Sequence, residues 1–215
     1  VRSSGLPRAG VRGQWGGEVP LTIDNFVGSV QMLKWAKAAA PAANWTWRVT
    51  AAIAKTGRLD VLKWARQQGC EWNDLTCVYA AHRGHLELLK WARAQNCPWN
   101  ERTIGHAAAG GHLEIVKWAH EQDCPWDSRV CAYAAESSHL EVLQWARNQG
   151  CPWGKDTCEW AALRGNLEML KWVRERDCPW DESTCALAAE GGHLEVLRWA
   201  RDHGCPCPAE VGARP

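Results

Sequence analysis

Residues 180–206 read WDESTCALAAEGGHLEVLRWARDHGCP, and this stretch decides the fold. Asp181 is a suitable N-cap for a first helix, which continues through a double alanine and ends at Gly192, where glycine can adopt the left-handed conformation. A second helix is predicted from Leu194 to Asp202, because its apolar residues recur at helical spacing. The stretch therefore predicts a helix, a tight turn, a second helix and a short loop.

The same pattern recurs along the chain with a period of about 27 residues, which indicates an array of repeats. One tryptophan of each second helix marks the register, with a spacing of 27 after a first interval of 29: Trp35, Trp64, Trp91, Trp118, Trp145, Trp172 and Trp199. Another column follows the short loop, mostly as Cys-Pro-Trp: Trp45, Trp72, Trp99, Trp126, Trp153 and Trp180, with Cys207 next in line.

The register predicts how the chain is organised. Residues 1–20 are predicted to form a flexible, basic, Gly-rich tail and residues 21–44 a degenerate N-terminal capping repeat. Six full repeats follow at 45–206, and residues 207–215 form a C-terminal tail. Helices of about nine or ten residues are marginally stable alone, so each pair must pack on the next.

The repeat resembles the ankyrin repeat in three features. These are the string Gly-His-Leu-Glu from Gly192, the double alanine before it, and a threonine column that holds Thr76, Thr103, Thr157 and Thr184. The resemblance implies an all-α, right-stacked solenoid of helix-turn-helix units. The family repeat is about 33 residues long, and the six missing here fall where its β-hairpin finger would be. Shortened or absent fingers are therefore expected, as in the short, Trp- and Cys-rich ankyrin-like arrays of protists and giant viruses.

A leucine-rich repeat is the alternative fold. Its period of roughly 20–29 residues accommodates the one found here, and Leu86, Leu89 and Trp91 match the opening of its motif. However, the Asn or Cys expected three residues after Trp91 is Ala94, and Cys97 comes too late. The double-alanine segment also favours a helix over a connecting arc.

Composition excludes several classes of function. The net charge of +1, from 25 Lys and Arg against 24 Asp and Glu, gives no electrostatic reason to expect nucleic acid or an anionic membrane as partner. No run of eighteen apolar residues is present. The chain contains no Gly-rich phosphate loop, no Gly-x-Ser-x-Gly and no His-Glu-x-x-His. We therefore expect neither an enzyme nor a cofactor.

The 11 cysteines leave three interpretations open: reduced structural thiols, disulfides or metal ligands. Zinc sites usually contain closely spaced pairs such as Cys-x-x-Cys, and none is present. The one close pair, Cys205 and Cys207, lies at the end of the array, and Cys97 has Ile104 where a partner seven residues later would be. We predict reduced thiols and no metal ligands, and hence an intracellular protein of the cytoplasm or nucleus.

Other recurring residues are predicted to be structural. The histidine column at the start of the second helix also contains Arg58 and Asn166, so an imidazole is not required there. By the resemblance, this residue stabilises the turn between the two helices. The tryptophan columns are predicted to be core, because periodic spacing alone does not make several exposed rings converge on a cation. Trp160, which lies outside both columns, is predicted to be core as well.

Two places vary in chemistry between repeats: the residue before the threonine column and the residues after the double alanine. By the resemblance, ankyrin repeats present these positions on their concave face and use them for recognition. The predicted partner-binding residues are Arg48, Leu75, His82, Arg83, Arg102, Arg129, Glu136, Asp156, Leu163, Arg164, Ser183 and Glu190.

These positions predict a scaffold or adaptor that binds a partner protein through its concave face. Arg102 and Arg129 fall in adjacent repeats, so an acidic or phosphorylated segment is the expected partner. The alternative is a structural spacer or self-assembly element with no specific ligand, since no further repeat covers the last helix. We expect a monomer under the first hypothesis and end-to-end association under the second.

Overall fold

The computed structural model describes residues 11–12, 18–19, 27–39 and 45–207 of the chain. Most of the predicted tail at 1–20, part of the predicted capping repeat and residues 208–215 lie outside the described residues. The chain divides into two compact units, Val1–Pro98 and Trp99–Pro215.

The first unit contains five helices and one short strand pair in its described residues. Strands β1 (Val11–Arg12) and β2 (Glu18–Val19) pair antiparallel, with Val11 opposite Val19. The helices are α1 (Val30–Ala39), α2 (Trp47–Thr56), α3 (Leu59–Gln67), α4 (Asp74–His82) and α5 (Leu86–Ala94). Helix α2 packs on α3 and on α4, and α4 packs on α5.

The second unit contains four helix pairs, and no strand occurs within the described residues 45–207. The helices are α6 (Glu101–Ala109), α7 (Leu113–Glu121), α8 (Arg129–Glu136), α9 (Leu140–Asn148), α10 (Lys155–Leu163), α11 (Leu167–Arg174), α12 (Glu182–Glu190) and α13 (Leu194–Asp202). The predicted all-α stack of helix-turn-helix units is confirmed. A leucine-rich repeat would place a strand in each unit. None of these helices, nor any other that the structure describes, is both long and apolar enough to cross a membrane.

The predicted helix ends of the last repeat are confirmed by local hydrogen bonds. The backbone of Asp181 is extended (φ −145°, ψ −167°), and its carboxylate accepts a hydrogen bond from the Ser183 amide at 2.9 Å. Asn73 and Asn100 cap α4 and α6 in the same way. A left-handed residue with φ between 55° and 83° follows the second helices: Gly69, Asn96, Asp123, Gly150, Asp177 and Gly204.

The histidine of the second helix connects one repeat to the repeat before it. The Nε2 atom of His193 is hydrogen-bonded to the main-chain oxygen of Leu163 at 3.0 Å, 30 residues upstream. The imidazole also covers Gly165, where an added Cβ would lie 2.4 Å from the ring and where φ is +69°. His85 contacts Lys55 and Gly57 in the same way. The histidine is thus structural, as predicted, but it stabilises the turn of the preceding repeat.

First helices pack more extensively on one another than second helices do. In the second unit α6 packs on α8, α8 on α10 and α10 on α12, whereas α7 and α9 make only a small contact. The small residues of the double alanine permit this close approach, and Ala134, Ala135 and Ala161 are fully buried. Second helices contribute larger apolar side chains to the core, such as Leu143 and Leu170. Each such leucine stabilises the fold by about 2 kcal/mol of hydrophobic free energy.

The two tryptophan columns form half-buried pairs at the loop between repeats. Trp72 and Trp91 meet edge to face with ring centroids 5.9 Å apart. The Arg66 guanidinium lies 4.1 Å from the Trp72 ring centroid and donates a hydrogen bond to the main-chain oxygen of Cys70. The prediction that the tryptophan columns are core is wrong for this pair, because both rings are only half-buried and the Arg66 guanidinium covers one face of Trp72.

Candidate protein-binding face

Three positions of each first helix, spaced i, i+4 and i+7, lie on one exposed or half-buried face. We call this surface of the second unit the inner face. It consists of Arg102, His106, Ala109, Arg129, Tyr133, Glu136, Asp156, Trp160, Leu163, Ser183, Leu187 and Glu190. Predicted partner-binding residues occupy both ends of α8, α10 and α12 and the N-terminal end of α6 on this face, and a middle column separates the two ends.

The middle column carries large side chains. His106, Tyr133, Trp160 and Leu187 are each half-buried, so part of every side chain contacts solvent. The rings of His106 and Tyr133 have centroids 5.6 Å apart, and the Tyr133 ring lies over Gly105, where an added Cβ would be 3.3 Å away. Tyr and Trp are the residues that most often dominate binding energy at protein interfaces.

Sequence reasoning missed this column because it assigned Trp160 to the core. The available signal was the variation within the column. A core position that accepts Tyr, His, Trp and Leu in successive repeats would require large compensating changes of volume around it. Variation in size and polarity at one position therefore indicates partial exposure.

At the N-terminal ends of the first helices, Arg129 is held by two carboxylates. Its Nη2 atom lies 2.7 Å from Asp127 and 3.0 Å from Glu101, one repeat earlier. Hydrogen bonds from Arg129 lower the pKa of Asp127 below its ordinary value, and Asp127 and Glu101 raise the pKa of the guanidinium. The neighbouring Arg102 is exposed and lies one helix away on the same row.

The remaining predicted residues of this row are half-buried and take part in the helix ends. The Asp156 carboxylate accepts a hydrogen bond from the amide of Thr157 at 3.0 Å. Ser183 donates its main-chain amide to the Asp181 cap. Lys155, next to Asp156, forms an ion pair with Asp181 at 2.6 Å, and this pair joins α10 to the loop before α12.

At the C-terminal ends of the first helices, Arg164 and Glu136 bind each other. Arg164 Nε donates to the main-chain oxygen of Glu136 at 2.8 Å, and its Nη2 lies 3.4 Å from the Glu136 carboxylate. Leu163 is half-buried, and its main-chain oxygen is the one that His193 binds. Glu190 is exposed at the end of α12.

Four predicted residues lie in the first unit. Arg48 is exposed on α2, with its guanidinium 5.6 Å from the Trp47 ring centroid. Leu75 and His82 are half-buried at the two ends of α4, and Arg83 is exposed directly after that helix. In the 27-residue register, Leu75 corresponds to Arg102 of the inner face, and His82 corresponds to Ala109.

Comparison with known proteins identifies part of the array. The family model described as ankyrin repeats (many copies) matches residues 77–120. This stretch is therefore similar to ankyrin repeats. Ankyrin repeats generally act as protein–protein interaction modules, and the fold is typically non-enzymatic. No curated protein matches the chain.

The cysteine that ends each of the last five repeats closes the repeat through a weak hydrogen bond. Its thiol donates to the main-chain oxygen of a residue at the start of the first helix, 24 residues earlier, at distances between 3.3 and 3.5 Å. The donors are Cys97, Cys124, Cys151, Cys178 and Cys205. A small buried thiol suits this position because it packs as an apolar group and still donates.

The cysteine pairs that the structure brings together join a first helix to the loop after the second helix of the same repeat. Cys131 lies against Cys151, and the thiol of Cys158 donates to the main-chain oxygen of Cys178 at 3.9 Å. These contacts and burial raise the pKa of Cys151 and of Cys178 above the ordinary value. Thiols with a raised pKa react slowly, so these cysteines are structural, and none of the four forms a disulfide in the structure.

The C-terminal repeat differs from this pattern. Cys185 and Cys207 form a disulfide with their Cα atoms 5.4 Å apart, and Cys205 beside them is a free, buried thiol. The prediction of reduced thiols is therefore wrong for Cys185 and Cys207. The sequence offered Cys185 only Cys178, seven residues earlier, as a neighbour, because Cys185 lies 22 residues before Cys207 and only helix packing brings these two close.

Proposed function

We propose that this protein is an interaction scaffold or adaptor that binds a segment of a partner protein along the inner face. The observation that carries the proposal is the partly exposed column of His106, Tyr133, Trp160 and Leu187. A row of aromatic and aliphatic side chains flanked by polar residues has the composition of a binding interface, with an apolar centre and a polar rim. The same residues give no support to catalysis, because they include no nucleophile beside a base.

The chemistry of the face indicates what the segment carries. Apolar side chains of the segment would lie on Tyr133 and Trp160, the two largest rings of the column. An acidic or phosphorylated residue of the segment would be met at the row that contains Arg102 and Arg129. Arg102 is the stronger candidate for this contact, because it is exposed whereas Arg129 is half-buried.

The test begins with a partner found by proximity labelling and compares two tryptophan variants. Trp160 on the inner face and Trp145 on the second helix α9 are both half-buried, so they form a matched pair. Trp160→Ala is expected to weaken partner binding at least tenfold, as truncation of an interface anchor costs about 2 kcal/mol or more. Trp145→Ala is expected to leave affinity within about twofold, provided that circular dichroism shows both variants folded. Equal effects of the two substitutions would refute the inner face as the binding site.

The acidic character of the partner has a separate test. Arg102→Glu is preferable to reversing Arg102 and Arg129 together, since reversing Arg129 would also break its pairs with Asp127 and Glu101. We expect Arg102→Glu to weaken binding and to reduce its dependence on salt. An unchanged affinity would reject the acidic segment while leaving the apolar column untouched.

The alternative function, a spacer or self-assembly element, has one observation in its favour. Leu194 on the last helix is 63% exposed, whereas the equivalent Leu140 and Leu167 are half-buried. End-to-end association through this surface predicts a sedimentation coefficient that rises with concentration and falls back in Leu194→Lys. A single concentration-independent species would rule out the self-assembly hypothesis.

A further inference from the structure

Directly after the last repeat, Cys207 stands where each of the six repeats has a tryptophan. At the start of that last repeat, Trp180 lies against Trp199 with ring centroids 6.0 Å apart and accepts the Arg174 guanidinium on its face. Cys207 holds the equivalent position one repeat later. It is half-buried, and its sulfur turns inward to Cys185 on α12.

This substitution gathers three sulfur atoms. The repeats ending at Cys151 and Cys178 each join one first-helix thiol to one loop thiol, which gives two sulfurs. In the C-terminal repeat the Sγ atoms of Cys185, Cys205 and Cys207 all lie within 4.8 Å of one another. No other group of three or more potential metal ligands this close occurs in the part of the chain that the structure describes.

Three thiols at this separation match the ligand chemistry of zinc. Zinc binds thiolates at about 2.3 Å in a tetrahedron, so that ligating sulfurs lie about 3.8 Å apart. Cys185 and Cys207 are bonded to each other, so their sulfurs must separate on reduction. The sulfur of Cys205 lies within 4.8 Å of both, at most about 1 Å beyond the separation that zinc requires, and side-chain rotation can supply both adjustments. A site with three protein ligands leaves the fourth position to water.

We propose that the reduced C-terminal repeat binds one zinc ion through the thiolates of Cys185, Cys205 and Cys207. The disulfide is the closed, metal-free form of the same site. Two external thiols, or one phosphine with one water molecule, supply two electrons and two protons, which break the Cys185–Cys207 bond and give two thiols; the reductant leaves as its own disulfide or as the phosphine oxide. With Cys205 these make three, and binding of Zn²⁺ releases their three protons to solvent.

The test uses the full chain reduced with a phosphine and titrated with Zn²⁺, and in parallel with Co²⁺ to observe thiolate-to-metal charge-transfer absorption. One ion per chain is expected for the unmodified protein. Cys207→Trp restores the residue of the preceding repeats and therefore should fold, yet it should bind no metal at this site. Cys124→Ala is the matched control, because it removes a buried cysteine from the same loop position as Cys205 in a repeat outside the three-sulfur group.

Three results would overturn the proposal. The first is the absence of any metal in the reduced, unmodified chain. The second is equal binding by Cys207→Trp, which would place the metal elsewhere. The third is equal metal binding by the oxidised chain, in which Cys185 and Cys207 are bonded to each other and cannot act as thiolate ligands. The proposal is supported if Cys207→Trp loses the metal while Cys124→Ala keeps it, and if the unmodified chain releases the metal on oxidation and binds it again on reduction. None of these outcomes bears on partner binding at the inner face.

Discussion

The side chain of Arg164 donates to the main-chain oxygen of Glu136 at 2.8 Å. In the following repeat the same kind of oxygen, on Leu163, is bound by His193 from 30 residues downstream. The residue 30 positions after Glu136 is Asn166, which caps α11 instead of reaching back. Arg164 therefore takes the place of the missing histidine. Although Arg164 occupies a position that varies between repeats, it meets a structural need of this repeat.

Removal of Arg164 should destabilise the fold. Arg164→Ala leaves the Glu136 oxygen without its side-chain donor, and a net hydrogen bond of this kind contributes about 1 kcal/mol. We expect the free energy of unfolding, measured by urea denaturation, to fall by about that amount with an unchanged m-value.

A double-mutant cycle distinguishes this contact from a general effect of the substitution. In an Asn166→His background the new imidazole can bind the Glu136 oxygen as His193 binds Leu163. Arg164→Ala should then cost less than half of its effect in the unmodified chain. An undiminished cost in that background would show that Arg164 acts in some other way.

The N-cap of α10 can be improved. Gly154 occupies it with an extended backbone (φ −130°, ψ −176°) and no side-chain cap. Gly154→Asn should raise the free energy of unfolding by about 0.5–1 kcal/mol, since it adds a cap and restricts the unfolded chain. The Asp156 carboxylate, 2.9 Å from an added Cβ, can rotate away. The reverse change, Asn100→Gly, should lower stability, and a gain there would contradict the capping argument.

The ion pairs of Arg129 should make stability depend on pH in the acid range. The pKa of Asp127 is lowered mainly by its hydrogen bonds to Arg129. The resulting stabilisation is complete above the ordinary carboxyl pKa of about 4 and disappears as pH falls through the lowered value. The stability difference between the unmodified chain and Arg129→Gln should thus be greatest near neutrality, shrink below about pH 4 and decrease with salt. Arg198→Gln, at an exposed position on α13, is the control, and an equal pH profile for both variants would contradict the assignment.

The helix ends could be predicted because their signals are local. Asp181 caps a helix through the amide of Ser183, two residues away, and Asn96 adopts φ +60° after its own helix. Both properties depend only on a residue and its immediate neighbours. Because the repeats share one register, helix ends identified in one repeat predict the helix ends of the others.

The candidate site was only partly predictable because its remaining features depend on packing between repeats. The two ends of each first helix were identified from variation, but the exposure of Trp160 follows from how α10 stacks between its neighbours. The ion pair of Arg129 with Glu101 joins two successive repeats, and the disulfide between Cys185 and Cys207 closes a sequence separation of 22. No local pattern specifies which side chain meets which across such distances.

The threonine column offers a test of buried hydroxyl groups in two environments. Thr50 Oγ1 lies 2.9 Å from the oxygen of Trp47 and 3.0 Å from that of Glu71, whereas the equally buried Thr157 Oγ1 has no hydrogen-bond partner among the described residues. Thr50→Val should therefore lower the free energy of unfolding by about 1–2 kcal/mol, because it leaves polar groups unpaired. Thr157→Val removes an unsatisfied hydroxyl with little change of shape, so it should leave stability unchanged or raise it slightly. A large loss in Thr157→Val would show that this hydroxyl has a partner in solution, most simply a buried water.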